Sequence, residues 1–373
     1  MPEPFKLIFN PTLITCIADN FDRAGGFDRA RFLNVALRGL DDLEMMQRSD
    51  QIADALAEAL PSDFLQALPK LHAVLHPETE AELSDMISDK RGLMGWALNP
   101  VGTFVARHGL GHPEESLTYL AEMTQRATLE FAVRPFFRDH PEITLKHAKD
   151  WAQHSNHHVR RAASEGSRPR LPWGLRLARY VDDPTPILPI LERLKDDPSE
   201  YVRRSVANNL NDIAKDHPAL VARIAGDWMK GASRDRQRLV KHACRSLIKA
   251  GDPATLTVFG YSPPDGVEAV LDLTPDRITL GDSLAIRLTL TAPEDLPILV
   301  DLVVRFRKAD GRLGPKVFKW SEQSLSAGVP KVLEKNLPLK PVTTRVHYAG
   351  QQELAVQVNG VELASQAFHL DLP

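Results

Sequence analysis

The chain has 373 residues, 43% of them hydrophobic, with two cysteines and 46 Lys+Arg against 49 Asp+Glu. That length and apolar fraction exclude a disordered chain and fit two or three domains, and no apolar run reaches the ~18–20 residues that span a bilayer. The net charge of −3 hides an asymmetry: residues 1–156 hold 15 basic against 23 acidic side chains, residues 157–250 hold 19 against 11, and residues 265–373 hold 12 against 14. A positive middle flanked by acidic tracts suits a polyanion partner, although a solvated helical face with extra arginines has the same composition. Met1 to Asn10 lacks the charged, apolar, small-residue order of a signal peptide. Cys16 and Cys244 lie far apart and read as free thiols of a reducing compartment, so a cytoplasmic protein is expected, with one long-range disulfide as the other possibility.

Residues 1–112 read as the N-terminal helical part. Phe32, Val35, Ala36, Leu40 and Leu43 recur at helical spacing within Phe27 to Leu43, and Gln51 to Leu60 and Ala81 to Met86 continue the pattern. Pro61, Pro69, Pro77 and Gly92 punctuate it as breaks.

Residues 113–262 contain an irregular repeat. Asp139-His140-Pro141 with Trp151 is echoed by Asp216-His217-Pro218 with Trp228. Asn156-His157-His158-Val159-Arg160-Arg161-Ala162-Ala163 is echoed by Ser199-Glu200-Tyr201-Val202-Arg203-Arg204-Ser205-Val206, and more weakly by Arg236-Gln237-Arg238-Leu239-Val240-Lys241-His242-Ala243. Helix pairs of this length resemble HEAT repeats. Asp197-Pro198 reads as an N-cap followed by proline at the first helical position. Val202, Val206, Leu210 and Ile213 then form one buried stripe, leaving Arg203 and Arg204 off it and free to face a concave groove. Pro184 to Pro189 reads as a helix start.

Between the first two copies, Arg160, Arg161, Arg168 and Arg170 place four guanidiniums within eleven residues. Guanidinium recognises phosphate in a planar, two-pronged way. Pro169 and Pro172 stiffen the backbone and Trp173 ends the segment with a flat ring, a combination that reads as a nucleic-acid surface. His154, His157 and His158 have helical spacing but no HExxH pattern or cysteine cluster accompanies them, so no metal and no cofactor are expected.

After Pro263-Pro264-Asp265-Gly266 the period becomes alternating, and residues 266–373 read as an immunoglobulin-like β-sandwich without a disulfide. Leu284 to Leu290, Val300 to Arg307, Val317 to Trp320, Thr344 to Tyr348 and Glu353 to Val358 are the predicted strands. Ala309-Asp310-Gly311 and Val358-Asn359-Gly360 are the predicted hairpin turns. Lys308, Arg312, Lys316 and Lys319 surround one hairpin, as phosphate contacts or as charges that block edge pairing. The expected fold is therefore multidomain, α then β: a HEAT-like helical solenoid followed by a sandwich.

Three segments carry a family resemblance: Glu165-Gly166-Ser167-Arg168-Pro169-Arg170-Leu171-Pro172-Trp173, Thr128-Leu129-Glu130-Phe131-Ala132-Val133-Arg134-Pro135-Phe136, and Asn208-Asn209-Leu210-Asn211-Asp212. The chain resembles the bacterial AlkC DNA alkylation-repair proteins, relatives of the AlkD glycosylases, in the subgroup with an immunoglobulin-like extension. The resemblance implies a monofunctional DNA glycosylase that excises cationic alkylated bases from double-stranded DNA without flipping them into a pocket. Those bases are 3-methyladenine, with 3-methylcytosine and 1-methyladenine also associated with the family. It implies catalytic roles for Glu130 and Asp212, as carboxylates stabilising an oxocarbenium-like sugar or positioning water, and for Trp173 against the sugar or lesion. Arg134, Arg160, Arg161, Arg168, Arg170, Arg203, Arg204, Asn208, Lys241 and Arg245 make up the expected DNA-binding set, in a monomer. No lysine stands in a nucleophile context, so no lyase step is expected.

Duller readings compete with each role. Glu130 could be a helix-surface acid paired with Arg134 at i+4, Trp173 a plug between helices, and Asp212 a surface acid near Lys215. The competing account of the whole chain is a non-enzymatic HEAT scaffold that binds DNA or protein.

Overall fold

The computed structural model describes residues 5–343 and 345–373. Among the described residues, helices run from Pro11 to Val258 and eight strands follow from Glu268 to Asp371. The chain divides into two compact units: the residues through Asp216 with Arg234–Ala243, and His217–Ser233 with Cys244–Pro373. Among the described residues no helix is long and apolar enough to cross a membrane. Both cysteines are free.

The N-terminal helices depart from their predicted limits for local reasons. Within Phe27 to Leu43 only Arg29–Ala36 is α-helical; Gly39 turns left-handed and Leu40 is buried in a following 3₁₀ turn. Pro69 does not break its helix, which runs Phe64–Ala73. A proline removes one intrahelical bond, and burial of Phe64, Ala67 and Leu71 on one face carries the helix through it. Ala81 to Met86 forms only a 3₁₀ turn, Leu83–Asp85. There the Glu78 carboxylate accepts the backbone N–H groups of Thr79 and Glu80, which directs the chain away from helix.

The sequence echoes are structural echoes. The three basic copies form the helices His157–Gly166, Glu200–Ile213 and Arg234–Ala243, the second packing against both others. Val159, Ala162 and Ala163 on the first, the predicted stripe Val202, Val206, Leu210 and Ile213 on the second, and Leu239, Val240 and Ala243 on the third are all buried. Isolated helices shorter than ~12–15 residues are marginal in water. Burial of each large apolar side chain, at about 1.5–3 kcal/mol, therefore outweighs helix propensity in holding this stack. The helix starts two positions later than Asp197-Pro198 predicts. Ser199 occupies the N-cap, and Asp197 instead accepts the Ser199 N–H at 2.9 Å. His140 and His217 adopt one cap conformation, φ −130° with ψ 56° and 61°, each followed by proline and by a buried tryptophan, Trp151 or Trp228.

The strands are β1 (Glu268–Thr274), β2 (Arg277–Thr279), β3 (Ser283–Thr291), β4 (Leu296–Arg307), β5 (Leu313–Leu325), β6 (Lys331–Pro338), β7 (Gly350–Val358) and β8 (Val361–Asp371). They form sheets ordered β1-β3-β6 and β2-β8-β7-β4-β5 around a core that includes Leu288, Leu302, Leu354 and Leu370. The predicted Asn359-Gly360 turn joins β7 to β8 with Val358 opposite Val361, both turn residues at positive φ as a two-residue hairpin requires. Thr344 to Tyr348 does not form the expected strand; Thr344 lies outside the described residues. Arg345 instead stacks its guanidinium 4.0 Å from the Phe306 ring centre and His347 meets the same ring edge-on.

β4 is covered on both faces along most of its length, which strands a carboxylate. Asp301 is buried, and burial pushes its carboxyl up to about 6 against the pull of Lys319 and Lys249. The folded chain then binds the extra proton between about pH 4 and pH 6, so stability from this group is full below that window and is lost as pH rises through it. Asp301→Asn is expected to raise stability near pH 7 by up to about 3 kcal/mol and to be neutral near pH 4. Thermal melts at the two pH values check this, and equal shifts at both would contradict it.

Candidate functional site

The site grows from one helix and the turns at its two ends. Asn156 caps the helix His157–Gly166 through the His158 N–H, and Val159, Ala162 and Ala163 fix which face is buried. Arg161 then points at Glu130, which sits in the turn before the helix Arg134–Asp139 and not on a helix. The fork is two-pronged, 3.2 and 3.3 Å, so Glu130 pairs with Arg161 and not with Arg134. Arg161 also lies 3.7 Å from Glu165 and 4.7 Å from the Tyr201 ring centre.

Glu165 joins the two halves of the site. It accepts Arg168 at 2.7 Å on one oxygen and the Ser205 hydroxyl at 2.6 Å on the other. Arg168 donates onward to Asp212 at 2.8 Å, and Lys215 closes the series on the other Asp212 oxygen at 3.1 Å. Charges thus alternate: Glu130, Arg161, Glu165, Arg168, Asp212, Lys215. Burial raises the Glu165 carboxyl, but the Arg161 and Arg168 guanidiniums and the Ser205 hydroxyl overcome that and hold it below its usual range. Burial works against the Arg161 cation, and Glu130 and Glu165 outweigh it. The two proposed acids sit at different depths, Glu130 with 12% of its side chain exposed and Asp212 with 3%.

Trp173 is the opposite case. Its side chain is 81% exposed, on a turn where Gly174 N–H donates to Leu171 O, and its φ of 62° is rare for a bulky residue. Leu177 N–H to Pro169 O closes the loop at its base, with Pro169 and Leu171 buried beneath. It is therefore not a plug between helices.

The arginines divide into two kinds. Arg134, expected on phosphate, is fully buried; its guanidinium donates to the main-chain carbonyls of Gly166, at 3.1 Å, and Leu175. Burial, with Arg168 adding to it, pulls Arg134 down to about 10. Arg161 and Arg168 direct their charge at carboxylates inside the protein. Arg160 forks onto Asp197 and donates to the carbonyls of His154 and Ser155, while Arg203 donates to those of Asp197 and Pro198 and pairs with Asp235, so both tie one repeat to the next. Arg204 is 61% exposed beside Glu200, and Arg170 pairs with Asp216 at the surface. Lys241 is exposed and Asn208 meets the His242 ring at 3.0 Å. Arg245, also exposed, belongs to the other compact unit. Arg203, Arg204, Arg238 and His242, with Glu200 and Asp235, line a cleft of about 190 Å³.

The sequence reading missed Glu165, Tyr201 and Ser205. A signal existed for the first, because Arg161, Glu165 and Arg168 stand at i, i+4 and i+7 and so share a helix face. His158 is buried with its ring facing Ala81 O, and His157 stacks on it. Among the described residues no three His, Cys, Asp or Glu side chains group as metal ligands.

Residues 124–235 match the family described as DNA alkylation repair enzyme, and residues 268–372 match the C-terminal Ig-like domain of the uncharacterised protein YhaZ. The uncharacterized protein YhaZ of Bacillus subtilis is 38% identical over 359 residues, covering 95% of this chain and 96% of its own. The Pseudomonas fluorescens alkylpurine DNA glycosylase AlkC, solved bound to DNA containing an abasic site analog, superimposes with a TM-score of 0.86 at 35% identity over 99% of both chains.

Proposed function

The chain belongs to the AlkC-type DNA alkylation-repair family, in the subgroup with a C-terminal immunoglobulin-like domain, and from that membership we propose a DNA-repair glycosylase that excises cationic N-alkylated bases from double-stranded DNA. The base is 3-methyladenine first, with 3-methylcytosine and 1-methyladenine as further substrates. The observation that carries this reading is the pair of carboxylates, Glu130 and Asp212, held by one alternating series of charges next to a loop that exposes Trp173.

An N-alkylated purine already carries positive charge, so it leaves with little proton donation, and the barrier is the cation developing on the deoxyribose. Fixed negative charge lowers that barrier most when it needs no rearrangement during the reaction. Glu130 faces the sugar or the attacking water, and Asp212 contributes its field from below. Trp173 lays its electron-rich face on the sugar or the cationic base. Its exposure suits chemistry at the duplex surface without base flipping. Arg204, Arg170 and Lys241 hold flanking phosphates, with Asn208 assisting, and Arg245 is a separate cation for phosphate on the other compact unit. The protein acts as a monomer in the cytoplasm, which its two free thiols suit.

Duplex DNA treated with a methylating agent and incubated with the protein is expected to release free 3-methyladenine, resolved by chromatography. DNA binding without any released base would leave the non-enzymatic scaffold as the correct account.

A further inference from the structure

Three groups of observations converge on Arg134. It opens the helix Arg134–Asp139, and its backbone N–H donates to Phe131 O within the turn that carries Glu130. Its guanidinium reaches the carbonyl of Gly166, the last residue of the helix that supplies Arg161 and Glu165, and the carbonyl of Leu175, two residues past Trp173. One side chain therefore grips the main chain on both sides of the loop that displays the indole. Gly174 rests on it and on Leu171: a methyl added there would lie 2.9 Å from Leu171 Cδ2, 3.1 Å from Arg134 Cδ and 3.3 Å from Nε.

The loop needs such a grip. A tryptophan at positive φ persists only where its surroundings over-determine the backbone. The 81% exposed ring makes few contacts of its own to hold it, so the constraint comes from beneath. The same guanidinium is poorly placed for stability alone, since among the described residues its buried Nη2 has no hydrogen-bond partner. A buried donor left unpaired is a cost that a core built only for packing avoids.

We infer that Arg134 is a positioning residue that locks the Trp173 loop to the turn carrying Glu130, so that indole and carboxylate meet the lesion nucleotide together. This rests on the glycosylase reading and adds to it a residue that never touches DNA. Misplacing a reacting group by about 1 Å costs on the order of 10²-fold in rate, which sets the size of the expected effect.

The test uses the full chain and four variants: Trp173→Ala, Arg134→Met, Gly174→Ala and the Arg134→Met/Trp173→Ala double. Single-turnover release of 3-methyladenine is measured at saturating protein, and affinity is measured on duplex DNA containing an abasic-site analogue. Arg134→Met and Gly174→Ala are expected to slow release by about 10–100-fold with affinity changed less than about threefold. The double variant is expected to be no slower than Trp173→Ala, because a residue acting through the indole has nothing left to position. Losses that multiply in the double variant would show Arg134 acting on the fold at large and overturn the inference. Wild-type release by Arg134→Met would overturn it too. If Arg134→Met fails to fold, Arg134→Lys and Arg134→Gln carry the test, with slowed release in support and wild-type release against. Full activity in Trp173→Ala defeats the role of the indole itself, and this inference with it. Absence of base release by the wild-type protein defeats the glycosylase reading.

Discussion

Glu130→Gln is expected to slow single-turnover release of 3-methyladenine by about 10²–10³-fold, the range seen when one fixed electrostatic contact is removed from a transition state, while duplex affinity moves by less than about threefold. Glutamine keeps the shape and removes the charge. Arg161 is not orphaned by the change, because Glu165 remains 3.7 Å away and Tyr201 still covers the guanidinium. The turn is held independently by main-chain bonds such as Val133 N–H to Leu129 O. The variant therefore isolates the charge from the fold. An unchanged rate would mean that the sugar cation is stabilised elsewhere, with Asp212→Asn the next substitution to make.

The second large effect falls on Glu165. Glu165→Leu is expected to lower the unfolding free energy by about 3–5 kcal/mol, the cost of removing one partner from a buried pair. Arg161 would keep only Glu130 and Arg168 only Asp212, and the Ser205 hydroxyl would lose its acceptor. Urea unfolding followed by helical circular dichroism measures this near pH 7. The folded carboxyl lies below its ordinary value of 4.5. Its contribution is therefore present above that value and disappears as pH falls through the folded one. Wild type and variant should converge as acidification takes the folded carboxyl, which lies below 4.5, through its own titration. A loss under 1 kcal/mol near neutrality (of order RT,) would mean the alternating series contributes little to folding.

What the sequence disclosed follows the reach of each interaction. The stripe Val202, Val206, Leu210, Ile213 and the three basic copies are periodic features of one helix each, and the structure keeps them. Strand β8 lacks a readable alternation because most of its residues are exposed or half-buried, with only Phe368 and Leu370 fully buried, in contrast to the strict alternation of β3. Pro69 misled because a single lost bond was weighed without the burial around it. The arginines were legible as a cluster and opaque as individuals. Whether a guanidinium meets a phosphate or a carboxylate depends on which turn lies opposite: for Arg161 that is 31 residues away, for Arg168 another helix 44 residues on. Arg134 shows the limit best, a cation read as a surface contact that the fold buries completely.

Gly166 ends the helix that carries Arg161 and Glu165, and a methyl placed on it would sit 2.7 Å from Val133 Cγ1. Backbone thus lies against side chain with no room between them, and close-packed contacts of this kind transmit displacement instead of absorbing it. Helix end and acid-bearing turn are thereby coupled, and a shift of the helix that carries Arg161 is expected to carry the Glu130 turn with it.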